Sequence, residues 1–134
     1  IRDPEMSRGL GDGYKRQIWM NNRKFGDAGE DLACRYLEKQ GYEILERNKH
    51  YSKFCEIDII AKIKKTVIFV EVKTRKTDSF GTPFEAITRT KYENIKKGVQ
   101  FYLSENKIKD YRIDVIGITL KPEIQINHLK NISL

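Results

Sequence analysis

Long apolar runs are absent from this chain of 134 residues. No stretch of about 18 apolar residues occurs, and no apolar segment of about 7 to 15 residues follows a basic start, so neither a membrane-spanning helix nor a secretion signal is expected. Cysteine is scarce. Cys34 and Cys55 stand alone without Cys-x-x-Cys spacing, and His50 and His128 complete no zinc pattern with them. Both thiols are expected to be the ordinary reduced cysteines of a cytoplasmic protein. No internal repeat or long low-complexity linker is present, and the length suits one domain better than two.

Basic charge, by contrast, is plentiful: 26 Lys and Arg face 19 Asp and Glu, a net charge of +7. That balance favours a polyanionic partner, whether nucleic acid or an anionic membrane surface, without specifying fold or chemistry. Residues 1–19 are rich in Gly, Arg and Asp and lack a hydrophobic period, and Met20 offers a plausible native start. They read as a flexible, tag-derived or misassigned extension. Setting them aside leaves +6, and a single domain is expected over 20–134.

Hydrophobic periodicity then gives the element order. Phe25, Ala28, Gly29, Leu32, Ala33, Tyr36 and Leu37 recur at helical spacing over 24–40, with Gly41 as the stop. A strand is predicted over 42–48, followed by an apolar hairpin around Lys64-Lys65. Pro83 opens a predicted basic helix that runs to about Glu105, with Phe84, Ile87, Ile95, Val99, Tyr102 and Leu103 facing inward. A strand over 111–120 follows, and Pro122 with the alternation of Ile124 and Ile126 predicts a short edge strand over 123–127. The long helix lets the fourth strand return parallel to the third, giving an α/β fold with a mixed sheet and flanking helices.

The hairpin carries charge where a core belongs. If its register is centred on Lys64-Lys65, Asp58 falls opposite Glu71. Carboxylates about 5 Å apart repel by roughly 3 kcal/mol at an effective dielectric of about 20. Period-two geometry places Val67, Phe69, Glu71 and Lys73 on one strand face. Facing carboxylates at the end of a covered strand are most simply reconciled by a hard divalent cation, Mg²⁺.

The ordered residues resemble a known pattern. Gly26-Asp27-Ala28-Gly29-Glu30, Gly41-Tyr42, Arg47-Asn48, Glu56-Ile57-Asp58-Ile59-Ile60, Phe69-Val70-Glu71-Val72-Lys73-Thr74-Arg75, Phe80-Gly81, Lys91 and Arg112-Ile113-Asp114-Val115 are similar to the small bacterial YraN family. That family lies within the PD-(D/E)xK superfamily of restriction-endonuclease-like and Holliday junction resolvase-like nucleases. Cys55 stands where the family usually has Gly.

The resemblance implies a restriction-endonuclease-like fold of order αβββαβ(β) and Mg²⁺-dependent endonuclease chemistry, with Mn²⁺ as a substitute. Asp58 and Glu71 would ligate the metal, Glu30 would be a further or outer ligand, and Lys73 would orient or deprotonate the attacking water. Arg75, Lys76, Arg89, Lys91, Lys96 and Lys97 are the expected nucleic-acid contacts. DNA, branched or otherwise structured, is the expected substrate, with no membrane partner and a homodimer if two strands are cut. The alternative is a noncatalytic nucleic-acid-binding or adaptor domain that keeps the fold.

Plainer readings stand beside these. Taken alone, Glu30 is an ordinary solvated helix carboxylate, and Glu71 with Lys73 an exposed ion pair worth about 0 to 1 kcal/mol. Arg112 and Asp114 read as a structural pair on the fourth strand. Tyr92 either stacks on a base or packs, and Phe25, Tyr36, Phe69 and Phe101 are assigned to the core.

Overall fold

Strict alternation between two buried faces builds the centre of the structure, a computed structural model that describes residues 22–53, 55–77 and 87–134. Helix α1 (Asn22–Lys39) is followed by strands β1 (Glu43–Ser52), β2 (Cys55–Ile63) and β3 (Thr66–Arg75). Helix α2 (Arg89–Glu105) then leads to β4 (Asp110–Thr119) and β5 (Gln125–Leu129). The five strands form one sheet in the order β1-β2-β3-β4-β5. Only the β3–β4 pair is parallel; the others are antiparallel. This is the mixed sheet predicted above, in the element order of a restriction-endonuclease-like fold.

On β3, Ile68 and Val70 face α1 and pack with Leu32, Ala33 and Leu37. Val67 and Phe69 face α2 and pack with Ile95, Val99 and Tyr102. Both sheet faces are therefore covered, which explains why β3 reads as a nearly continuous apolar run. The hairpin turns at Lys64 with φ 54° and keeps the predicted register, from Ile63 opposite Thr66 to Ile59 opposite Val70.

Helix α1 ends as its sequence demands. Gly41 takes φ +93°, and the Tyr42 amide donates to the Leu37 carbonyl at 2.9 Å while the Gly41 amide donates to Glu38 at 3.1 Å. This is a Schellman closure, and its left-handed residue favours glycine.

Four expectations are corrected or limited. Ile87 and Thr88 precede α2, and Thr88, in extended backbone, caps the helix with its side chain, so within the described residues it begins at Arg89 and not earlier. Phe101 is 50% exposed and not part of the core. It lies on the outer side of α2, stacked on Tyr51 with ring centroids 5.3 Å apart. Residues 1–19, Phe80, Gly81, Pro83, Phe84 and the side chain of Phe25 lie outside the described residues. The edge strand runs two residues later than predicted, at Gln125–Leu129.

Candidate functional site

The regular sheet breaks where the carboxylates begin. Ile57 and Ile60, three residues apart, pack in the same layer beneath α2, so alternation along β2 is interrupted between them. In β1 the neighbouring Asn48 takes φ 50°, a left-handed conformation that Asn tolerates better than most residues. Beyond the Ile59–Val70 pair the Val72 amide donates to Asp58 Oδ2 at 2.9 Å. A side-chain carboxylate thus takes up a backbone donor at this point of β3.

Glu71 lies on the face toward α2 and is only 3% exposed. Its Oε1 receives two cations, Lys91 Nζ at 3.3 Å and Lys73 Nζ at 3.8 Å. Its Oε2 is buried without a hydrogen-bond partner. Burial, and then the charge of Asp58, push the Glu71 carboxyl up to about 7 against the pull of Lys91 and Lys73. Burial likewise raises Asp58, opposed by the Val72 amide, Lys91 and Lys73.

Glu30 approaches from α1. Burial and the Asp58 charge raise it to about 7, against Arg47 and a side-chain hydrogen bond with Asn48. Its Oε1 is another buried oxygen without a hydrogen-bond partner, although Arg47 Nη2 lies 3.9 Å away. Arg47 is held more closely by Asp31, at 2.8 Å. Gly29 explains how Glu30 gets there: a Cβ at position 29 would overlap Thr74 Oγ1, so only glycine lets α1 press onto the end of β3.

Asp58 is thus the shared neighbour of Glu71 and Glu30. Even so, no three carboxylate, imidazole or thiol side chains among the described residues converge closely enough to form a metal cage. The donor set available to a cation is hard oxygen from Asp58 and Glu71, with Glu30 beside Asp58. One or two carboxylates completed by waters is the usual coordination of Mg²⁺. The two buried oxygens without hydrogen-bond partners fit a cation better than they fit a finished structural ion pair.

The remaining basic positions spread outward. Arg89 shares the first turn of α2 with Lys91 and is exposed. Arg75 ends β3, and its carbonyl accepts from the Leu120 amide at 3.1 Å; the Lys76 carbonyl accepts from Lys121 at 2.9 Å. Lys96 sits 5.7 Å from the Tyr92 ring, away from the carboxylates, and Lys97 is exposed further along the helix. Tyr92 is 7% exposed and packs, its hydroxyl donating to the Ile132 carbonyl at 3.4 Å. Sequence reasoning placed Lys91 among these outer contacts, whereas it lies against Glu71.

A profile of the uncharacterised protein family UPF0102 matches residues 29–118, which include Glu30, Asp58, Glu71, Lys73 and Lys91. The chain belongs to UPF0102. This is the YraN family. UPF0102 proteins of Caldicellulosiruptor saccharolyticus and Caldanaerobacter subterraneus subsp. tengcongensis are 45% and 42% identical to it. Each comparison covers 84% of this chain, with 98% and 96% of the respective relative. A UPF0102 protein of Fusobacterium nucleatum is 47% identical over 94 residues, 70% of this chain and 78% of that one. The UPF0102 match ends inside β4, so β5 lies beyond it, with His128 and Asn131, which complete a buried network built on Tyr36, Tyr42, Arg112 and Asp114.

That network joins both helical and sheet elements on the α1 side. Asp114 is fully buried; its Oδ1 accepts from Arg112 Nε at 3.0 Å and from the Asn131 amide at 2.9 Å. Its Oδ2 is 2.7 Å from His128 Nε2, and His128 Nδ1 is 2.9 Å from the Tyr36 hydroxyl. Arg112 also donates to the Tyr42 hydroxyl at 2.7 Å. The Asp114 carboxyl is held below the usual range: burial works to raise it, and the bonds from His128, Asn131 and Arg112 outweigh that. No spacing signal in the sequence marks His128 as a partner, because the antiparallel β4–β5 register is what brings it there. Cys34 and Cys55 are both buried free thiols. No helix among the described residues is long and apolar enough to cross a membrane.

Proposed function

We propose that this UPF0102 protein is a metal-dependent nuclease hydrolysing phosphodiester bonds in DNA, with branched or otherwise structured DNA as its substrate class. The observation that carries the reading is the Asp58–Glu71 juxtaposition: a half-buried and a buried carboxylate at a break in an otherwise regular sheet, with an orphaned oxygen and two lysines. Like charges so placed cost stability unless a cation joins them. The net charge of +7 supports a polyanionic substrate.

Asp58 and Glu71 would hold Mg²⁺ or Mn²⁺. The bound metal supplies Lewis-acid polarisation of a phosphate and a water acidified toward neutrality. Lys73, on the same strand face as Glu71, orients the attacking water and counters negative charge developing at phosphorus. Glu30 holds a proton or a water beside Asp58. Arg89, Arg75 and Lys76 neutralise flanking phosphates, and Lys96 and Lys97 contact more distant backbone. Without a recognisable base-reading element, selectivity rests on substrate shape. Paired cuts across a junction require paired sites, hence a homodimer.

The test is cleavage of single-stranded, duplex, flap and four-way DNA with Mg²⁺ or Mn²⁺. Asp58→Ala and Glu71→Ala are expected to lose at least about a hundredfold in rate while retaining DNA binding. The second reading, a noncatalytic binding domain, draws on the lack of a three-ligand cage among the described residues. Salt-sensitive binding with no metal-dependent turnover on any of these substrates would establish it instead.

A further inference from the structure

Helix α2 begins against its own local preference. Thr88 caps it, with its hydroxyl accepting from the Lys91 amide at 3.0 Å, so Lys91 occupies the third helical position. That position after a Thr cap favours Glu or Gln, whose side chain completes a capping box. The first turn instead contains Arg89 and Lys91 and no acidic residue. Positive charge at a helix N-terminus opposes the macrodipole. Something outside the helix must compensate, and the Glu71 carboxylate 3.3 Å away is what lies there.

The two lysines at Glu71 differ in freedom. Lys73 belongs to β3, paired in register with Gly117, and its Nζ lies further from Glu71, at 3.8 Å. Lys91 reaches over from a separate element, and its side chain is 42% exposed. It can swing outward without disturbing the hydrophobic layers. Both contact Oε1, leaving Oε2 with no hydrogen-bond partner.

We propose that Lys91 is the resident counter-cation of the Asp58–Glu71 pair: it neutralises these carboxylates until a divalent cation takes its place, and its displaced ammonium then meets the incoming phosphate. The inference rests on the metal-binding reading above and assigns Lys91 a positioning role there. A metal entering alone must break an ion pair, whereas a phosphate that recruits Lys91 lowers that cost. Metal and nucleic acid therefore bind with reciprocal positive coupling.

The experiment is calorimetric titration of Mn²⁺ into the wild-type protein, Lys91→Gln and the Asp58→Ala/Glu71→Ala control, without and with a noncleavable DNA oligonucleotide. Glutamine completes the Thr88 capping box, which favours folding of the variant. Lys91→Gln is expected to bind Mn²⁺ about tenfold more tightly than wild type, the size of one charge-assisted contact. The oligonucleotide should tighten Mn²⁺ binding to wild type by more than it does to the variant, where only direct metal–phosphate contact remains. In the wild-type protein itself, Mn²⁺ should increase acetylation of Lys91 severalfold relative to exposed Lys62, read by mass spectrometry.

Equal Mn²⁺ affinity in wild type and Lys91→Gln, with labelling unaffected by metal, would overturn the counter-cation role and leave the metal site standing. Absence of Mn²⁺ binding in both, with and without DNA, would overturn the counter-cation role and the metal-binding reading together.

Discussion

Glu71, Glu30 and Asp114 shape the response of this protein to pH. Glu71 titrates at about 7 in the folded chain, against an ordinary 4.5, because it is buried and faces Asp58. A raised folded pKa means that the folded state keeps a proton the unfolded chain has already lost. Stability from this group is fully present below about 4.5 and is lost as pH rises to about 7, on the order of 3 kcal/mol over that window. Glu30 titrates at a similar value and acts in the same direction. Urea unfolding of the metal-free protein is expected to show lower stability at pH 8 than at pH 5. Glu71→Gln should flatten that slope, and millimolar Mn²⁺ should restore wild-type stability at pH 8. A wild-type slope of opposite sign would mean that Lys91 and Lys73 already neutralise the pair completely.

At the scale of elements, the site depends on how closely α1 meets β3. Gly29 is the point of closest approach, and Glu30 is the next residue along the helix. Gly29→Ala is expected to cost about 1 to 3 kcal/mol through overlap with Thr74. Gly26→Ala, in the same helix with no neighbouring atom within 4 Å of the added carbon, should be neutral or stabilising by up to about 1 kcal/mol. Unfolding midpoints of the two variants separate helix propensity from docking. Mn²⁺ affinity of Gly29→Ala then reports whether Glu30 has been moved from Asp58. Equal stability of the two variants would show that α1 shifts without penalty.

Across the whole molecule, Asp114 ties together what the sheet alone leaves separate. Through Arg112, His128 and Asn131 it links β4 and β5 to the segment beyond, and through Tyr36 and Tyr42 the network reaches α1 and the turn after it. Asp114→Asn should cost about 3 to 5 kcal/mol, since it removes a buried charge from two basic partners. Circular dichroism during thermal unfolding measures the loss. Because the folded pKa of Asp114 is lowered, its contribution is present above the unfolded value of about 3.8 and disappears as pH falls below it.

The local pattern of residues determined the element order, the mixed sheet and the hairpin register, because two-residue alternation and a two-residue turn leave the strand Val67–Val70 one way to bury both faces. It also marked Asp58, Glu71 and Lys73 as candidates, since charge in an apolar strand is visible without coordinates, while Glu30, on a helix, stood out only through the family resemblance. Only tertiary structure decided that Lys91 turns toward Glu71, that Gly29 admits Glu30, that Phe101 faces outward and that His128 reaches Asp114. Each of these depends on the distance or rotation between two elements. Periodicity within one element specifies which face is apolar, but it does not specify which polar groups on neighbouring elements will meet.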